Sequence, residues 1–143
     1  MSAMDRMVTA REDLASRRRF AALQRESFDG GDLVSLRLQQ LWFTRCSFRR
    51  ADLRQATLDG CRFKLCDLRG ANLSGASLRG ASLTGCALTG ADLRGADLSG
   101  AQLGQVLTGT PPQGLTNATG IKLDNAVLRD LQLDQVIGWP ITG

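Results

Sequence analysis

From Ala21 onward the hydrophobic pattern repeats every five residues. The units read AALQR, ESFDG, GDLVS, LRLQQ, LWFTR, CSFRR, ADLRQ, ATLDG, CRFKL and CDLRG, then ANLSG, ASLRG, ASLTG, CALTG, ADLRG, ADLSG and AQLGQ. Seventeen consecutive units cover residues 21–105, and the third position is Leu or Phe in every one, from Leu23 to Leu103. Two positions earlier stands mostly Ala or Cys. Neither a helix nor a flat strand has this period. It suits a chain that turns a corner in each unit, with one large side chain inside and a small one tucked beside it. Glycine closes nine units, among them Gly60, Gly95 and Gly100, and it accepts the positive φ that tight turns demand.

Units of the form A-(D/N)-L-x-x resemble those of the pentapeptide-repeat family, strictly over about three-fifths of the chain and loosely over most of the rest. The resemblance implies an all-β fold: a right-handed quadrilateral parallel β-helix with four units to a coil. At the resulting spacing of 20 residues, one interior column reads Leu33, Leu53, Leu73, Leu93 and the next Leu38, Leu58, Leu78, Leu98. A third reads Phe43, Phe63, Leu83, Leu103 and the last Phe48, Leu68, Leu88, so these phenylalanines gather in the N-terminal coils. Each coil of such a solenoid is stabilised by its neighbours, and its two open ends need cover.

The ends and one interruption divide the chain. Residues 1–20 read as an N-terminal capping segment, with Thr9 and Glu12 spaced as a capping box for a short helix over about Ala10–Arg19. The Arg17-Arg18-Arg19 run within it reads as a solvated face. Residues 21–135 form the solenoid, interrupted at 106–120, where Pro111 and Pro112 exclude a regular paired strand. The pattern resumes in IKLDN, AVLRD and LQLDQ, which predicts a distorted coil or bulging loop, with Leu123, Leu128 and Leu133 rejoining the interior columns. The apolar tail at 136–143 either folds over the last coil as a cap or forms a homodimer contact.

Composition narrows the chemistry. Histidine is absent, which removes every Ser–His, Cys–His and His-metal arrangement. Cys46, Cys66 and Cys86 recur at one interior position, and Cys61 holds the equivalent place on the adjacent face. Stacked in this way they read as small hydrophobes rather than as disulfide, metal or redox groups. Asp32, Asp52 and Asp92, with Asn72 among them, form one outer row, and Arg54 and Arg94 stand two residues further along to neutralise the acids. Residues 106–120 carry no ionisable side chain. The expectation is a protein that is no enzyme and takes no cofactor or metal. With no apolar leader over Met1–Ala10 and no run long enough to span a membrane, it reads as soluble and cytoplasmic.

The outer faces carry what function the sequence suggests. The 18 basic and 14 acidic side chains leave a net charge of +4. Arg45, Arg49, Arg50, Lys64 and Arg69 are predicted to cluster at the corner between the third and fourth faces, with Arg54 and Arg62 close by. Trp42 and Leu65 are expected to be exposed there. Arginine beside an aromatic is a common hot-spot composition, so the corner suggests contact with an acidic or phosphate-bearing partner, a protein before other classes. The resemblance implies an alternative, since some pentapeptide-repeat proteins mimic DNA, bind type II topoisomerases such as gyrase and protect them from quinolones. The acidic row Asp32, Asp52 and Asp92 would serve that role here. Residues 31–103, however, carry 10 positive against 6 negative side chains, the wrong sign for a DNA mimic. Direct nucleic-acid binding through phosphate contacts is a third reading, weakened by the scarcity of stacking aromatics.

Overall fold

The computed structural model describes residues 9–38, 40–106 and 114–140. Within them the chain winds into a four-sided, right-handed parallel β-solenoid. One face carries the regular strands: β1 (Ala22–Gln24), β2 (Trp42–Thr44), β3 (Arg62–Lys64), β4 (Ser82–Thr84), β5 (Gln102–Gly104) and β6 (Gln132–Leu133). They stack in chain order, each parallel to the next. The other three faces are held by single parallel bridges such as Ser47↔Asp67, Asp52↔Asn72 and Thr57↔Ser77.

The five-residue period becomes geometry at two positions. The third residue of each unit points inward, so Leu33, Leu53, Leu73 and Leu93 are buried in one column. The fifth residue turns the corner in the left-handed region, with φ near 70° at Gly60, Gly70 and Gly95. Non-glycine residues hold the same conformation at several other corners, including Arg25, Arg45, Arg50 and Leu65. Phenylalanines fill the N-terminal coils: Phe43 stacks on Phe63 at 5.0 Å and Phe28 on Phe48 at 5.1 Å. The four cysteines are buried and unbridged, and Cys46, Cys66 and Cys86 each donate a thiol hydrogen bond to a carbonyl of the coil before, those of Leu23, Phe43 and Phe63.

The N-terminal helix is shorter than its pattern predicts. Helix α1 spans Ala10–Ala15, capped by Thr9, whose hydroxyl accepts the Glu12 N–H at 3.1 Å. It stops at Ser16 because the chain must bend into the first coil: Phe20 turns at φ 66° and donates its N–H to the Gln40 carbonyl. Leu14 is buried in the solenoid core and Arg11 donates to the Val34 carbonyl at 2.6 Å, so the helix seats on the first coil. Arg17 is drawn into ion pairs with Asp13 and Glu26, while Arg18 and Arg19 stay exposed.

The interruption is also shorter than predicted. Up to Gly104 every pairing joins residues 20 apart, as in Phe63↔Leu83, but Leu103 pairs with Leu133 and Ala87 with Asn117, 30 apart. Ten more residues than a coil holds therefore separate the paired units, and 116–120 is already a seated unit, with Ala118 buried where Leu would stand. Of the predicted distorted stretch, 107–113 lies outside the described residues. Half a coil of insertion keeps the five-residue phase but moves later residues by two faces, so Leu123 stacks below Leu93 and Leu128 below Leu98. Leu128 and Leu133 reach the interior columns yet remain 37% and 43% exposed, because the last coil has no neighbour beyond it. The tail begins another turn, with Ile137 bridged to Asn117 and Trp139 half-buried against the core. Residues 141–143 lie outside the described residues.

Candidate interaction surface

Strand alternation decides which side chains each face presents. On the strand-bearing face the central residue of each strand points inward, and the residues on either side of it point out. Trp42 and Arg62 are neighbours in one outer row, one coil apart, and Thr44 and Lys64 in the other. The Arg62 guanidinium lies over the Trp42 indole, 4.8 Å from its centroid. Phe20, just before the first coil, meets Trp42 edge-on at 6.2 Å and is itself covered by Arg19 at 5.7 Å. Phe20 is 55% exposed and Trp42 38%. Cation, ring, ring and cation thus alternate along the face, a geometry worth about 0.5–1 kcal/mol per exposed cation–π contact.

The predicted basic corner divides. Arg45 joins this face: it sits on the corner at φ 53° and donates its backbone N–H to the Lys64 carbonyl at 2.9 Å. Among the described residues Arg45, Arg62 and Lys64 form no ion pair. Arg49 and Arg69 lie on the next face and are engaged with Asp67: Arg69 grips it at 2.6 and 2.9 Å, and Arg49 stands 3.8 Å away. Arg50 stands at the following corner at φ 56°, exposed and outside any ion pair among the described residues. Arg54 sits a face away from the corner, held by Asp52 at 2.8 and 2.9 Å. Leu65, expected to be exposed, is half-buried, because it and Val106 both crowd Gly85 at the base of the excursion.

The acidic row stacks as predicted, Asp32 on Asp52, Asn72 and Asp92, but it ends on Lys122. Hydrogen bonds from Arg54 and Arg94 hold the Asp52 and Asp92 carboxyls below the usual carboxylate range. Asp32 accepts the Val34 N–H, as short polar side chains do at turns. Asp52 and Asp92 are thus neutralised locally, while Asp32 forms no ion pair among the described residues. Burial pushes the Cys61 thiol up to about 11, and the neighbouring Cys66 thiol, with burial, raises Cys46 further. Thiols so protonated are poor nucleophiles.

Two features escaped the sequence reading. Phe20 lies outside the repeat, so no periodicity placed it beside Trp42. The other is a groove along the strand-bearing face, bounded on one side by the corners Gly60 (covered by the Gln40 side chain), Gly80 and Gly100, and on the other by Gln105 and Val106. Glycine recurring at one corner of successive coils was its available signal.

Comparison with known proteins agrees with this architecture. The family model described as pentapeptide repeats matches in eight copies over residues 32–70, 46–85 and 71–107. A pentapeptide repeat protein from Nostoc PCC 7120 is 32% identical, with 76% of this chain and 85% of that one aligned at a TM-score of 0.59. Another, from the cyanobacterium Cyanothece 51142, aligns over 85% of this chain and 86% of its own at 21% identity and a TM-score of 0.63, a likeness of fold alone. No curated protein sequence matches the chain.

Proposed function

This chain belongs to the pentapeptide-repeat family, and we propose that it is a non-catalytic interaction module that captures an acidic protein partner on its strand-bearing face. The observation that carries this reading is the Phe20–Trp42–Arg62 stack with Arg45 and Lys64 beside it, cations that no carboxylate among the described residues neutralises. Arg45 adds support as a third exposed cation, at the corner adjoining Thr44 and Lys64. The buried, unbridged cysteines favour a reducing compartment, so we place the protein in the cytoplasm. Among the described residues no helix is long and apolar enough to cross a membrane.

Affinity capture tests this reading with two paired variants. Trp42→Ala/Arg45→Glu should abolish partner retention, whereas Arg49→Glu/Arg69→Glu, altering cations already paired with Asp67, should retain most of it. Equal capture by the parent and the first variant would remove the proposal. The topoisomerase-mimic reading finds little support in a row whose Asp52 and Asp92 are neutralised by Arg54 and Arg94 and which ends on Lys122, and a gyrase supercoiling titration should show no effect. Pairing of two copies through the C-terminal coil is a second reading, favoured by the exposure of Leu128 and Leu133. Sedimentation of a Leu128→Lys/Leu133→Lys variant tests it, and a parent that is already monomeric would end it.

A further inference from the structure

We propose that the groove on the strand-bearing face takes an extended acidic peptide segment of the partner, lying along the solenoid axis across successive coils. This rests on the reading of that face as the capture surface and names the occupant and its pose. The groove runs over Arg62 and Lys64 on β3, Ser82 and Thr84 on β4 and Gln102 on β5. Its charge is graded, with two cations at the N-terminal end, neutral hydroxyls and an amide beyond, and no carboxylate in its lining. The glycine corner leaves room for a close approach: a Cβ at Gly80 would meet nothing within 4 Å.

Spacing decides between a peptide and a nucleic acid. Two coil steps, from β3 to β5, cover roughly 10 Å at the usual strand separation. Duplex DNA carries one charge per about 1.7 Å of axis, so it would bring about six phosphates over a span offering two cations. Continued further along the face it would meet Asp134, which follows Gly104 in the outer row. An extended peptide points a side chain to one side about every 6.6 Å, so over this span about two carboxylates would balance the two cations, with one of them seated between Arg62 and Lys64, which stand side by side on β3. Its neighbouring residues would find hydrogen-bonding groups in Ser82, Thr84 and Gln102 and an apolar anchor in Trp42. The charge offered over this span matches a short acidic segment.

The test uses the full chain and a fluorescein-labelled glutamate-rich peptide containing one leucine, read by anisotropy, with single-stranded oligothymidylate as competitor. Arg62→Glu/Lys64→Glu should weaken peptide binding at least about tenfold, and so should Ser82→Tyr, which fills the groove without altering charge. Oligothymidylate should not displace the peptide. Binding that survives Ser82→Tyr would place the contact outside the groove and overturn the proposal, as would no peptide binding by the parent. Displacement by oligothymidylate would assign the face to nucleic acid instead. If partner capture depends on Trp42 and Arg45 but the peptide does not bind, the capture surface stands and the extended-peptide occupant falls. If neither holds, both fall.

Discussion

The Thr116 hydroxyl donates to the Gly104 carbonyl at 2.7 Å and so ties together the two ends of the chain excursion that separates them. The same oxygen accepts the Cys86 N–H at 3.1 Å. Thr116 thereby continues the Cys46–Cys66–Cys86 column with a hydroxyl in place of a thiol. Beside it, Val106 donates its N–H to the Gly114 carbonyl at 2.7 Å and closes the neck.

Thr116→Val, which keeps the shape and removes the hydroxyl, leaves a buried N–H and a buried carbonyl without that partner. We expect a loss of about 1–3 kcal/mol in urea unfolding, with faster hydrogen exchange over 116–140. Thr116→Cys, matching the column above it, should recover part of the loss. Parent-like stability in the valine variant would show that the neck is held elsewhere.

Core substitutions should grade along the axis. Phe63 is buried between coils and stacked on Phe43, so Phe63→Ala should cost about 3–5 kcal/mol. Leu133 occupies the same column on the last coil but is 43% exposed, and Leu133→Ala should cost less than about 1 kcal/mol. Paired urea titrations check the contrast. A large loss at Leu133 would mean that its exposed side is covered in solution.

The corners can be probed without crowding. Gly95 holds φ 72°, and a Cβ there would come no closer than 3.9 Å to Gly75 N. Gly95→Ala should therefore report backbone strain alone, about 1–2 kcal/mol. Arg50→Gly, at the same kind of corner, should stay within about 1 kcal/mol of the parent, since relieved strain offsets the greater freedom of the unfolded chain. Thermal melts of the two variants measure the difference.

The acid limb of stability follows from the paired carboxylates. Arg54 lowers Asp52 and Arg94 lowers Asp92 from the ordinary value of 3.8. A lowered folded value means that the stabilisation is present above 3.8 and is lost as pH falls through the folded value. The urea midpoint should hold between neutral and mildly acidic pH and drop below about pH 4. Asp92→Asn should make that drop shallower, and an unchanged slope would show that the pair adds nothing to stability.

Periodicity alone determined the parts of this protein that depend on local chain direction. A unit of five with one large residue orients Leu53 inward and Asp52 outward wherever the unit sits, and it assigns Gly60 and Gly95 to corners before any coil is closed. The buried cysteine column follows from the same repeat, as does the pairing of Asp52 with Arg54, two residues away. Tertiary structure decided what depends on neighbouring coils. An insertion of ten residues preserves the five-residue phase whichever face the chain returns to. It therefore takes the contacts of Thr116 with Gly104 and Cys86, and the backbone bonds that follow them, to select the face that receives Leu123. Arg49 and Arg69 looked equivalent to Arg45 in sequence, yet Asp67 engages the first two and, among the described residues, no carboxylate meets the third. Phe20 stands outside the repeat and reaches Trp42 only because the helix ends early and turns the chain into the first coil.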